Sequence, residues 1–338
     1  MQRFSSGKLT SIASVISFFF LVHLPNLPAQ TKVIWQKAEV DPYTHVVFSH
    51  SGSMLALGRE DSNTSDLLNA ADGSLIRQFT GRHNAVNDLV FTLDDQYLIT
   101  GVGHGGASLS LSIWNVGAGN RLMLVGDHTN GTQSVSLSTD GQYVATSGEF
   151  DRETNIWHVP DLTQVISILN SDPETGVLSR VKDVAFSPDG QRIATGDING
   201  VRVRSSISGT LLYEIPSFEV RSIAYSPDGQ YIAGAVPTDH AVKLWNASTG
   251  ALVRTFAVNT AFDFPSIAFS PNGKLLAAGY HTGSDAGALI FWSISNGRVL
   301  SYENTSGSVI SLAFDPTGQS FAYTQSDGRV VRAIAPPV

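Results

Sequence analysis

Apolar residues in this chain come in short runs, and polar turns punctuate the runs at regular distances. The clearest copies are Val184-Ala185-Phe186-Ser187-Pro188-Asp189-Gly190-Gln191, Ile223-Ala224-Tyr225-Ser226-Pro227-Asp228-Gly229-Gln230 and Ile267-Ala268-Phe269-Ser270-Pro271-Asn272-Gly273-Lys274. Looser copies lie at Val47–Gly52, Val90–Asp95, Ser136–Gly141 and Ala313–Gly318. Their turn residues, at 52, 95, 141, 190, 229, 273 and 318, stand 39 to 49 positions apart, which is the mark of a repeat. Each copy has the same parts. A first strand ends in an aromatic such as Phe186. Ser-Pro-Asp-Gly then turns the chain: proline presets φ, aspartate caps the turn and glycine accepts positive φ. Asp189, Gly190, Asp228 and Gly229 are therefore structural. A second strand such as Arg192–Gly196 is apolar on both sides, so both of its faces must be covered. After a variable loop, a third strand ends in Trp114, Trp157, Trp245 or Trp292. A polar turn such as Asn246–Gly250 leads to a fourth strand such as Leu252–Phe256. The pattern predicts an all-β chain of seven units with four strands each.

The ends of the pattern fit together. The last unit offers strands over 308–314, 320–325 and 328–335, and then Pro336 and Pro337 stop it. The segment Thr31–Lys37 precedes the first unit as a fourth strand would. It is expected to complete the seventh unit and so remove an open edge. Alternating Val33 and Trp35 should then be shielded from water.

Composition sharpens this picture. Charged residues are 15% of the 338, against ~25% in ordinary soluble domains. Strands covered on both faces leave few places for charge. The net charge of −8 disfavours nucleic acid as a partner. With no cysteine, disulfides, thiolate metal sites and a cysteine nucleophile are excluded. At the N-terminus, Arg3 and Lys8 precede an apolar run from Leu9 to Leu24, ended by Pro25 and Pro28, with the small Ala29 before Gln30. This order reads as a signal peptide over residues 1–29, followed by one repeat domain over 30–338. The chain is thus expected to be exported, to the periplasm or outside the cell. The alternative is an uncleaved N-terminal segment, the one expected contact with a membrane.

These residues resemble the WD-repeat β-propeller family over essentially all of 31–338. The period, the Ser-Pro-Asp-Gly turn and the third-strand tryptophan carry the likeness. It implies a seven-bladed β-propeller of four-stranded antiparallel blades, closed by the N-terminal strand. The position after the family's tryptophan, an aspartate there, is Asn115, His158, Asn246 or Ser293 here, and the Gly-His pair survives only loosely, at Gly81-Arg82-His83 and Gly126-Asp127-His128. The family's His–Ser–Trp–Asp hydrogen-bonded tetrad should then be incomplete in most blades.

Two places could carry function. One rim holds short, uniform turns. The other holds loops of varied length, among them 59–66, 148–153, 171–176, 262–264 and 280–285, and binding usually sits on such loops. Phe150, Phe218, Phe262, Phe264 and Tyr280 are candidate partner contacts there, since aromatics often anchor interfaces. The second place is the channel mouth, where His45, Asp88, Ser134, Asp183, Ser222, Ser266 and Ser311 share one register. Among these His45, Asp88 and Asp183 are the candidate residues of the channel mouth, and Asp88 and Asp183 could be a ligand pair, against a solvated polar lining. Searches for a Gly-x-Ser-x-Gly elbow, a His-Glu-x-x-His pair or a phosphate loop find none, and the nine histidines show no ligand spacing. No catalytic residue, cofactor or metal is expected. The resemblance implies a monomeric, non-enzymatic scaffold for a protein or peptide. The alternative is a lactonase-like propeller enzyme or ligand-binding protein working at the channel mouth.

Overall fold

The computed structural model describes residues 31–338 except 61–63, 82–84, 104–109, 127, 130, 160, 172–175, 177, 258–262 and 282–285, and of 263 and 264 only the backbone. Residues 1–29, read as a signal peptide, fall outside the described residues. The rest forms seven four-stranded antiparallel sheets. Blades 1 to 6 span 43–80, 86–125, 134–169, 181–216, 222–257 and 263–305. Blade 7 takes three strands from 309–334 and its outer strand from Val33–Ala38. The first strand of each blade is innermost, and these inner strands touch in sequence around a closed ring, Tyr43–Phe48 against Val309–Phe314 included.

The repeat turns fold as their residues dictate. The seven turn positions all have positive φ, from +58° at Asp95 to +71° at Gly141. Asp95 is the one position of the seven without glycine, and it has a compensating role. Its carboxylate accepts the amides of His50 and Ser51 at 2.6 and 2.9 Å, tying the turn of blade 1 to that of blade 2. In the complete copies the aspartate accepts from within its own turn. Asp228 takes the Ser226 hydroxyl at 2.6 Å and the Gln230 amide at 3.0 Å. Asp189 does the same with Ser187 and Gln191, and the Ser187 hydrogen bond holds its carboxyl below the usual range.

The core is distributed over the seams between blades. Each third-strand tryptophan packs backwards onto the preceding blade. Trp114 lies against Phe79 of blade 1, with ring centroids 5.8 Å apart, and Trp292 against Phe256 of blade 5, at 5.3 Å. Trp157 joins Ile99 and Leu111 of blade 2, and Trp245 joins Val201 and Ile215 of blade 4. Every one of these rings is nearly withdrawn from water, and each large apolar side chain so buried contributes about 1.5–3 kcal/mol.

The N-terminal strand closes the ring as expected. It pairs antiparallel with Arg329–Ile334, from Val33 opposite Ala333 to Ala38 opposite Arg329. Its tryptophan does the packing: Trp35 lies on the cluster of Leu68 and Ala70 in blade 1, and its Nε1 donates to the Ala70 carbonyl at 2.8 Å. Val33, expected to be shielded too, is exposed. Regular alternation would put both on one face, but the register shifts between them, Val33 standing opposite Ala333 and Trp35 opposite Arg332, so only Trp35 is turned onto blade 1.

Candidate functional site

The channel column comes first. His45 Nε2 sits 3.0 Å from Asp88 Oδ1, joining blades 1 and 2. Asp88 Oδ2 accepts the Val135 amide of blade 3 at 2.7 Å. Ser134 of blade 3 donates to Asp183 of blade 4 at 2.7 Å, and Asp183 accepts the Ile223 amide of blade 5 at 2.8 Å. Ser266 accepts the Leu312 amide at 3.1 Å, joining blades 6 and 7, and Ser311 accepts the Val46 amide at 3.2 Å, joining blades 7 and 1. The shared register thus builds a hydrogen-bonded belt in which side chains of one inner strand hold the next blade. His45, Asp88 and Asp183 do line one cavity of about 620 Å³. Burial, the largest influence, and the charge of Asp88 push the Asp183 carboxyl up to about 6 against the hydrogen bonds from Ser134 and Ile223. Both carboxylates are engaged in joining blades, a role that neither a ligand pair nor a solvated lining had led one to expect.

The rim aromatics separate. Phe218, between blades 4 and 5, is 66% exposed. Phe150, between the second and third strands of blade 3, lies beneath the Arg180 guanidinium, 5.4 Å from ring centroid to Cζ. Arg180 and Lys182 both pair with Glu149, at 3.5 and 2.7 Å, so this corner is a compact charged and aromatic patch. Phe262 lies outside the described residues, and Phe264 is placed only as the second residue of the strand Asp263–Phe269. Tyr280 is not a rim contact. The strand Leu275–His281 runs to seven residues, so Tyr280 extends the face of Leu276 and Ala278 and is buried on blade 5, its hydroxyl donating to Tyr302 at 2.6 Å. The loop expected at 59–66 is also shorter than its sequence suggests. Asp66 is buried in a third strand, where it accepts Arg59 at 2.6 Å, Tyr43 at 2.9 Å and Gln78 at 2.9 Å. Burial, with the Asp66 carboxylate beside it, holds the Tyr43 hydroxyl proton far above the usual phenol range.

One polar cluster is more complete than expected. In blade 3, Trp157 Nε1 donates to Thr146 Oγ1 at 3.1 Å, Thr146 meets His128 Nε2 at 3.1 Å, and His128 Nδ1 meets Asp151 Oδ2 at 3.0 Å. A single tautomer satisfies this chain: Nδ1–H donates to the carboxylate, and Nε2 accepts from the threonine. The full tetrad therefore exists here, with its acid supplied by the loop before the third strand rather than by the residue after tryptophan. In blades 5 and 6 it is cut short, as Gly234 and Ala278 hold the hydroxyl's place. His128, Asp151 and Glu153 also place one ligand atom each within 4.8 Å of one another, the geometry of a metal cluster. Both nitrogens of His128 are occupied by the tetrad, so the group reads as a lock between the second and third strands.

Comparisons with known proteins agree with the ring. The family described as "WD domain, G-beta repeat" matches residues 73–115, 174–201 and 209–246. The chain is 24% identical over 72% of its length to a periodic tryptophan protein 2 homolog of Dictyostelium discoideum, of which it covers 25%. It is 26% identical over 58% of its length to Protein HIR1 of Kluyveromyces lactis, covering 21% of it. To a guanine nucleotide-binding protein subunit beta of Zea mays it is 26% identical over 70% of its length, covering 54%. The chain thus spans about a quarter of the first two relatives and about half of the third. With three stretches that match this repeat and seven four-stranded blades in a closed ring, this chain is a seven-bladed β-propeller that carries WD40 repeats.

Proposed function

We propose that this propeller is a non-enzymatic scaffold, exported across a membrane by its N-terminal segment, that holds a protein or peptide partner on the rim of variable loops. The observation that carries the reading is Phe218. It leaves two-thirds of its surface in water on a rigid ring, and aromatic side chains placed so become anchors when a partner covers them. The patch of Phe150, Arg180 and Glu149 on the same rim adds a cation and an anion that can set the partner's orientation. The scaffold character of the WD-repeat relatives points the same way, by analogy of family. The absence of catalysis in this reading rests on the channel acids, which serve the belt between blades.

The experiment is crosslinking of the full chain in its native cells, followed by identification of captured proteins, beside the double variant Phe150→Ala, Phe218→Ala. A drop of tenfold or more in one captured protein is expected. An unchanged set would remove the rim from consideration. Export is tested separately, by fractionation and by sequencing the mature N-terminus, which is expected near Gln30.

A further inference from the structure

Every blade ends in an outer strand that is paired on one side only, so the ring presents seven sheet edges to its surroundings. Such an edge is a template for another chain unless something guards it. All seven outer strands share one guard, a register shift near the start that blunts the edge there. Six carry a second guard, a charge within the strand: Lys37, Arg77, Arg121, Glu214, Arg254 and Glu303. Blade 3 is the exception. Its outer strand, Thr163–Leu169, reads Thr-Gln-Val-Ile-Ser-Ile-Leu, with neither charge nor proline. Uncharged segments rich in β-branched residues are the ones that add strands most readily.

This edge is open as well as unguarded. The Asn170 amide bonds the Arg152 carbonyl of the third strand, and Ile168 and Ile166 stand opposite Thr154 and Ile156. Hydrogen-bonded pairs alternate along an antiparallel ladder, so these even-numbered residues direct their main-chain groups inward. The N–H and C=O of Ser167 and the N–H of Leu169 then point away from the blade, where no main-chain partner meets them among the described residues. The side chains beside them are apolar and wet. Val165 is 52% and Leu169 53% exposed. Ile207 of blade 4, 81% exposed, stands across a crevice of about 710 Å³ between blades 3 and 4 that Val165 also lines.

The strand is complementary to itself. Laid antiparallel about Ser167, two copies set Ser167 opposite Ser167, Ile166 opposite Ile168 and Val165 opposite Leu169. Apolar groups meet apolar groups, and no like charges come together. The same operation on any other outer strand brings its charge beside the identical charge of the second copy. A two-fold contact needs a self-complementary surface, and of the seven edges this is the one that carries no charge to set against itself.

We infer that the outer edge of blade 3 pairs with the same edge of a second copy of this chain, antiparallel and centred on Ser167, so that two blades join into one eight-stranded sheet. This departs from the monomer that the family resemblance implies. It stands apart from the rim reading, since neither Phe150 nor Phe218 takes part.

The chain has no cysteine, so a single introduced thiol reports the contact. In a hydrogen-bonded antiparallel pair the two Cα atoms stand about 5.5 Å apart, within reach of a disulfide. Under mild oxidation of the full chain, Ser167→Cys is expected to form a covalent dimer at least tenfold faster than Thr255→Cys. Thr255 is the same outer-strand position in blade 5, one residue past the register shift and likewise exposed. Sedimentation of the unaltered chain is expected to show a dimer half formed at about 10 µM, as suits an interface at the small end of the range. The paired change Ser167→Lys, Leu169→Lys, at two exposed positions, should leave a monomer with an unchanged thermal midpoint. A monomer at tenfold higher concentration, a dimer that survives the two lysines, or equal crosslinking of the two cysteines overturns the inference. Capture of a different protein at Cys-substituted position 167 by a chain that stays monomeric overturns it too, in favour of a foreign strand on this edge.

Discussion

Single side chains in this ring act mostly by joining strands. His128 satisfies Asp151 and Thr146 together, so His128→Ala leaves two polar groups short and should cost about 1–3 kcal/mol in urea unfolding. The Asp151 carboxyl is a pH-dependent part of that lock. Burial raises its pKa, but the hydrogen bond and charge of His128 outweigh this and hold it below the ordinary value. Its stabilisation is present above the unfolded range and is lost as pH falls through the folded value. Against Asp151→Asn, the wild type should therefore lose its advantage in acid. Asp183 behaves oppositely. Its folded carboxyl is raised from 3.8 to about 6, so the folded state holds the proton more tightly and stability falls as pH climbs through that window. The gap in thermal midpoint between wild type and Asp183→Asn should shrink from pH 4 to pH 7, and a constant gap would refute the assignment. Of these two residues, Asp183 was visible in the sequence as a register position. Asp151 was not recognised as the tetrad's acid, because it comes from an irregular loop and not from a fixed step after the tryptophan.

At the scale of strands and turns, sequence and structure correspond closely. Local chemistry specifies each turn, so Ser187, Asp189 and Gly190 could be assigned from type and order alone. Strand ends were harder to place. Tyr280 looked like a loop aromatic because glycines and polar residues follow it, yet backbone pairing carries the strand through His281 and turns the ring inward. Asp66 was misplaced for the same reason: the strand begins earlier than its polarity suggests, since Arg59 and Tyr43 make burial of the acid possible. The closing strand could be found by counting. Removing Thr31–Ala38 exposes the edge of Arg329–Ile334 and uncovers Ala70, and should lower the thermal midpoint and broaden the transition. A midpoint unchanged within error would show that pairing contributes nothing.

For the whole molecule, stability is a chain of seven seams, and such an assembly opens first where neighbouring units hold each other least. The seam of blades 3 and 4 has Arg204 where the next seam has Trp245, since Arg204 stands opposite Ile193 as Trp245 stands opposite Ile232. Amides of the turn 206–210 are expected to exchange hydrogen faster than their counterparts at 247–251 in blade 5. Equal rates at the two turns would show that Arg204 and Ser206 seal the seam as well as Trp245 and Ala247 do. This weakness could have been read from the sequence by aligning all seven third strands, where Arg204 is the one charge in the tryptophan's place. The crevice it leaves could not, since its volume depends on how far two neighbouring blades lean together.

The joint of blade 7 also constrains the order of events during synthesis. Val33 leaves the ribosome three hundred positions ahead of Ala333, its partner. Throughout that interval the nascent chain carries an unfinished circle with an unsatisfied strand at its N-terminal end, the kind of surface that chaperones guard and that recruits stray neighbours. Joining distant parts of the chain makes this last step slow as well as late. Accumulation of the soluble protein should therefore depend on how well the first-made strand is kept from other partners until the last one emerges.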